Sequence, residues 1–269
     1  MKQVNPMGIR ALSSFVALPL LFIVLYLGGM IVYFAAMIIA LIGLYEFYQS
    51  MEARGHHPAY IPGMALTVML YLPPAFQIPV RFVGLGAFLM LGYILINYLY
   101  SRGQTLIDLA LTLFGFIYFP LAFFHVCLID QLGIPNLVWY IFILAWITDT
   151  CAYFGGYFWG KRKLWEEISP KKTVEGSIAG VVGCTAITAG IAAWLNPEQV
   201  LWFVPLAIVG SILSQIGDLI ASKIKRYTGV KDFGAIMPGH GGVLDRFDSV
   251  IMTTPLVYYF GVLLTAAAG

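Results

Sequence analysis

The chain has 269 residues, of which 60% are hydrophobic and only 10% charged, with a mean hydropathy of +0.86 and a formal net charge of +2. A soluble domain carries about a quarter of its residues as charged side chains, so an ordinary water-soluble enzyme is excluded, and no nucleic-acid partner is expected. In lipid every backbone N–H and C=O needs an internal partner, which leaves helices or a closed barrel; long apolar runs without alternation select helices.

In chain order, uncharged runs cover 11–45, 58–80, 82–101, 109–129, 131–148, 176–197, 199–217 and 249–269. A membrane core about 30 Å thick takes roughly 20 helical residues. The first run is too long for one crossing, and Gly28-Gly29 near its middle predicts a hairpin. The expectation is therefore an all-α polytopic membrane protein of about nine transmembrane helices, in which 58–80 is the weakest because of Pro62, Pro73, Pro74 and Pro79. With the N-terminus inside, Lys2, Arg10, Arg54, Arg102, Lys161, Arg162, Lys163, Lys171, Lys172, Lys223, Lys225, Arg226, Lys231 and Arg246 fall on the cytoplasmic side and only Arg81 outside. That bias predicts a cytoplasmic N-terminus and, with nine crossings, a C-terminus outside. The first apolar stretch lacks a small-x-small cleavage site and reads as a retained helix. Cys127, Cys151 and Cys184 are isolated in apolar segments and read as packing residues.

Residues 1–135 are read as N-terminal transmembrane helices that act as scaffold and lipid access. Residues 136–269 are read as C-terminal helices whose two cytoplasmic loops, 161–175 and 223–248, form the catalytic region. Ten of the fifteen basic residues lie in 146–248. Asp149 and Asp218 interrupt apolar helices, where a carboxylate is costly unless paired, hydrated or bound to a cation. Ser211, Ser214, Asp218, Ser222 and Lys225 recur at spacings of 3, 4, 4 and 3 and so share one helix face. An interhelical polar contact is the plain alternative.

The stripe runs into Lys223, Lys225, Arg226 and Lys231, then Asp232, then Pro238-Gly239-His240-Gly241-Gly242, then Asp245, Arg246 and Asp248. Mixed charges at this density beside a membrane suit a site for polyphosphate and a divalent metal. Hard carboxylate oxygens favour Mg²⁺, and Lys and Arg neutralise the remaining phosphate charge. Gly234, Gly239, Gly241 and Gly242 allow close approach of backbone N–H groups to phosphate, although an ordinary turn has the same composition. Asp245 or Asp248 can equally cap the last helix. Lys171-Lys172-Thr173 precedes a helix start, a place that favours anions, and can also touch lipid head groups. Gly155 to Lys161 matches phosphate-loop spacing by coincidence, since Arg162 stands where Ser or Thr is needed and a helix precedes it. His125 reads as structural. The segment His240-Gly-Gly has no nucleophile elbow to accompany it, which argues against a serine hydrolase.

The stretch SKIKRYTGVKDFGAIMPGHGGVLDRFD at 222–248 resembles the hallmark of phosphatidate cytidylyltransferases, the CDP-diacylglycerol synthases, and ISPKKTVEG at 168–176 and DTCAYFGGYFWGK at 149–161 are similar to further blocks of that family. Met237 departs mildly from the family pattern. The resemblance implies transfer of a cytidylyl group from CTP to phosphatidate with Mg²⁺, and leaves room for a second, monovalent cation. It implies catalytic roles for Asp218, Lys225, Asp245, Arg246 and Asp248, with Asp218, Asp245 and Asp248 on the metal. It further implies substrate binding by Asp149, Lys171, Lys172, Ser222, Arg226, Lys231, Asp232, His240, Gly241 and Gly242. It also implies a multi-pass cell-membrane enzyme among membrane lipids, with its active site at the cytoplasmic face, and a homodimer. The alternatives are a sister enzyme acting on another lipid phosphate, such as an isoprenoid-ether one, and an ion-coupled transporter relaying cations through Asp149 and Asp218.

Overall fold

A computed structural model describes residues 15, 19–76, 78, 80–101, 103–195, 197–236 and 241–268. It is helical throughout apart from one short hairpin. The elements are α1 (Gly29–Glu52), α2 (Tyr60–Ala75), α3 (Val80–Tyr100), α4 (Leu106–Leu132), α5 (Trp139–Trp159), β1 (Lys163–Trp165), β2 (Ser169–Thr173), α6 (Val174–Leu195), α7 (Val200–Thr228), the single turn α8 (Leu244–Phe247) and α9 (Val250–Ala268). A 3₁₀ turn at Pro197–Gln199 leads into α7.

Among the described residues six helices, not nine, are long and apolar enough to cross a membrane: α1, α4, α5, α6, α7 with its leading turn, and α9. Within the described residues, Tyr60–Leu72 and Gly84–Tyr100 are shorter apolar helical stretches. Helix α2 has 16 residues, about 24 Å, and contains Pro62, Pro73 and Pro74. With nine crossings unsupported, the parity that put the C-terminus outside no longer holds. At Gly28-Gly29, where a hairpin was expected, helical residues 19–27 stop and both glycines have positive φ, 65° and 56°. Large apolar side chains such as Phe88 (71% exposed), Trp194 (82%) and Leu201 (86%) cover the outside, as suits a lipid solvent.

The chain divides into two compact units: residues up to Gln131 together with Tyr227–Phe247, and Leu132–Arg226 together with Asp248 onward. The first unit is knitted by aromatic rings, with Phe47 tilted on Phe114 and Tyr118, and Tyr71 edge-on to Phe124. Two buried hydroxyls reach backbone carbonyls there, Tyr48 to Thr112 at 2.8 Å and Tyr71 to Pro120 at 2.9 Å. Pro120 has no N–H to give, and the π-turn Ile117–Leu121 absorbs it without ending α4. A capping box of Thr105 and Asp108 starts α4, and Asp108 also takes the His57 N–H at 2.6 Å.

In the second unit α5 and α6 approach through small residues. A Cβ added at Gly155 would lie 2.2 Å from the Ala179 Cβ, and one at Gly176 would lie 2.7 Å from the Ala152 carbonyl oxygen. Such positions let helices pack in lipid by backbone contact. Gly155 and Gly156 are therefore helix-packing positions within α5 and not a phosphate loop, as the missing strand suggested.

Candidate active site

The second unit gathers four of the singled-out residues. Lys172, on β2, forms an ion pair with Asp218 of α7, and both side chains are about three-quarters buried (28% and 23% exposed). The Ser249 hydroxyl stands 3.2 Å from the Asp149 carboxylate and 3.3 Å from that of Asp248, and the Ser249 N–H donates to Asp248 at 2.7 Å. Lys172 also lies in the field of Asp149 and Asp248. Burial lowers its pKa below the ordinary 10.5, and those two carboxylates pull it back up. One ammonium thus stands among three carboxylates carried by α5, α7 and the approach to α9.

Local sequence explains how these groups meet. Gly217, next to Asp218, has no side chain, so the chain at Asp248 can lie against α7: a Cβ there would be 2.6 Å from the Asp248 carbonyl oxygen. Gln215 ties α7 to α6 through the Ser177 carbonyl at 3.3 Å. The polar stripe of α7 grades from buried Ser211 and Ser214 to half-buried Asp218, Ser222 and Lys225. Beyond it, the Arg226 guanidinium donates to the Ile168 carbonyl at 3.4 Å and Lys223 lies over the Trp165 ring, so the end of α7 supports the hairpin that carries Lys172. Glu175, in the first turn of α6, accepts the backbone N–H groups of Lys161 and Arg162 and the Arg162 side chain at 3.0–3.1 Å. This fastens the other hairpin strand. Lys171 is exposed on β2.

Asp149 interrupts α5 at its middle, ten residues after Trp139. The helix continues because its next two turns, Tyr153 to Trp159, remain apolar.

The glycine-rich segment belongs to the first unit, where two carboxylates hold it. Asp245 accepts the N–H groups of Phe233 at 2.8 Å and Gly242 at 3.0 Å. Glu46, on α1 and 1% exposed, accepts those of Val243 at 3.0 Å and Leu244 at 2.8 Å. Gly234 and Gly242 leave room for Glu46, since a Cβ at either would fall 2.2–2.5 Å from its carboxylate oxygens. Gly241 has φ +83° and lies against Asp245. The backbone approach expected of these glycines occurs, and the atoms approached are protein carboxylates. Lys231, Asp232 and Arg246 are exposed; His240, Met237, Pro238 and Gly239 lie outside the described residues.

Glu46, Ser249 and Gly217 escaped the sequence reading. Glu46 was taken for the end of an apolar run, yet α1 continues through it to Glu52. Its one visible signal was a carboxylate among Tyr45, Phe47 and Tyr48. The His125 ring contacts the Leu121 and Ala122 carbonyls of its own helix, both at 3.1 Å.

The chain is similar to known proteins along most of its length. The model of the cytidylyltransferase family matches residues 8–264. A phosphatidate cytidylyltransferase of Staphylococcus haemolyticus is 34% identical over 255 residues, covering 93% of this chain and 97% of that protein. The proteins of the same name from Staphylococcus epidermidis and Staphylococcus aureus are 33% and 32% identical over the same lengths.

The chain belongs to the cytidylyltransferase family.

As a cytidylyltransferase-family member it is a nucleotidyltransferase, and its apolar helices make it a membrane protein. Among the described residues no three His, Cys, Asp or Glu side chains form a ready-made metal cage. A metal that is completed by substrate phosphates needs only one or two carboxylates from the protein. Asp149, Asp218 and Asp248 supply hard oxygen donors of that kind.

Proposed function

We propose that this enzyme transfers the cytidylyl group of CTP to phosphatidate, giving CDP-diacylglycerol and pyrophosphate, at the cytoplasmic face of a cell membrane. The observation that carries the reading is the pairing of Lys172 with Asp218 beside Asp149 and Asp248 in a chain of this family. Its relatives' name, phosphatidate cytidylyltransferase, supports the choice of lipid. The cytoplasmic placement follows from the basic loops around 161–172 and 223–231.

An oxygen of the lipid phosphate attacks the α-phosphorus of CTP; the new P–O bond forms as the bond to the β-phosphate breaks, and pyrophosphate leaves. The attacking oxygen is already ionised near neutral pH, so no protein nucleophile or strong base is required. The work left to the protein is alignment and neutralisation of charge. Lys172 neutralises phosphate charge, and Asp218 holds it charged and oriented. One or two of the carboxylates of Asp149, Asp218 and Asp248 would hold Mg²⁺, which would supply further stabilisation of the phosphate charge when bound. Asp245, Lys225, Lys231 and Arg246 act with them in this reading, on the strength of the family resemblance.

The test is incubation of purified protein with labelled CTP and a panel of lipid phosphates. CTP consumption that depends on phosphatidate, with CDP-diacylglycerol as product, is the expected result. Preference for an isoprenoid-ether phosphate would reassign the lipid substrate, and no CTP consumption with any lipid would refute the reading.

A further inference from the structure

Glu46 is a buried carboxylate in the half of the chain that the reaction scheme leaves unused. It sits on α1, yet its two oxygens accept consecutive N–H groups, Val243 and Leu244, nearly two hundred residues further along. Gly234 and Gly242 flank the same carboxylate, each so close that a methyl group would collide with it. The next residue after Leu244 is Asp245, whose own carboxylate closes the segment onto Phe233 and Gly242. Four backbone N–H groups of one loop therefore converge on two carboxylates, and the only one of the two that comes from outside the loop is Glu46.

An acid buried to 1% exposure on a membrane helix carries a heavy desolvation cost, offset here by two charge-assisted hydrogen bonds. Capping a single helical turn does not by itself explain retaining so expensive a group, because a neutral side chain serves that purpose. What a carboxylate adds is two acceptors in one rigid plane, which hold two successive peptide units at once. Those units fix the direction in which Asp245 and Arg246 leave the backbone.

The geometry points to Glu46 as a positioning residue for cytidylyl transfer: it touches no reacting atom and acts through the backbone of 242–244 on Asp245 and Arg246. This rests on the functional reading above, in which those two residues serve the reaction. Misplacement of aligned groups by a fraction of an ångström to an ångström costs turnover on the order of 10²-fold.

The experiment uses the full chain in lipid nanodiscs. Glu46→Gln keeps the shape but turns an amide NH₂ towards a backbone donor. Gly234→Ala leaves the carboxylate in place and pushes it from the opposite side. Both variants are expected to speed hydrogen exchange at the Val243 and Leu244 amides about tenfold or more while exchange in α7 stays as in the wild type. Both are expected to lower kcat with little change in KM for CTP, and the double variant should lose less than the product of the two single losses. Faster exchange with unchanged kcat would reduce Glu46 to a structural cap and overturn the inference, as would unchanged exchange. A wild-type protein that fails to consume CTP refutes the functional reading instead, which is a different result from a wild type that turns over beside an equally active Glu46 variant.

Discussion

Lys172 and Asp218 are joined in an ion pair between a two-stranded hairpin and the longest helix of the chain, with both side chains largely shielded from solvent. The pair sits beside Asp149 and Asp248, whose field favours the charged form of Lys172.

Removing one partner leaves the other charged and shielded. Asp218→Asn and Lys172→Met are each expected to lower kcat/KM on the order of 10²-fold or more, by loss of charge placed for the phosphates. Steady-state turnover of each purified variant, checked for intact helicity by circular dichroism, decides this. Near-normal rates in Asp218→Asn would remove it from the catalytic set.

The pH dependence follows from Lys172. Its charged form is disfavoured by burial, so it loses its proton below the ordinary lysine value of 10.5. The cation is present below its folded pKa and disappears as pH rises through it, so kcat/KM should fall on an alkaline limb that lies below pH 10.5. The stability effect has the opposite sense: the cost of holding the buried charge is present at neutral pH and is relieved as pH climbs through the folded pKa towards the unfolded one. Lys172→Arg, whose guanidinium stays charged to about pH 12 or above, should move the limb upward. A limb that stays put in that variant belongs to another group.

Metal dependence provides a separate check. Chelation of divalent cations should abolish turnover and added Mg²⁺ should restore it. Asp218→Asn should need about tenfold more Mg²⁺ or more for half-maximal rate. Full activity in excess chelator would exclude the carboxylates from metal binding.

Gly217→Ala tests the contact that places Asp248. The new methyl would meet the Asp248 carbonyl oxygen at 2.6 Å and the Met252 side chain at 3.3 Å. Overpacking against backbone costs about 1–3 kcal/mol. A lower Tm with turnover reduced about tenfold is expected, since a backbone shift at 248 displaces a carboxylate that must be aligned. Unchanged Tm and rate would mean that the chain at Asp248 moves freely and is not placed by α7.

Sequence alone was enough to establish a helical membrane protein, the helical face shared by Ser211, Ser214, Asp218, Ser222 and Lys225, and the resemblance to the cytidylyltransferase family. Each of these depends on local composition, periodicity or a contiguous motif, which a linear reading preserves. Tertiary structure decided which six helices among the described residues are long and apolar enough to span, that Lys172 pairs with Asp218, and that Glu46 and Asp245 hold the glycine-rich loop. A carboxylate inside a helix in lipid is costly unless it finds partners. Asp149 and Glu46 remain inside their helices because partners distant in sequence, Ser249 and Lys172 for one and the backbone of Val243 and Leu244 for the other, meet that cost.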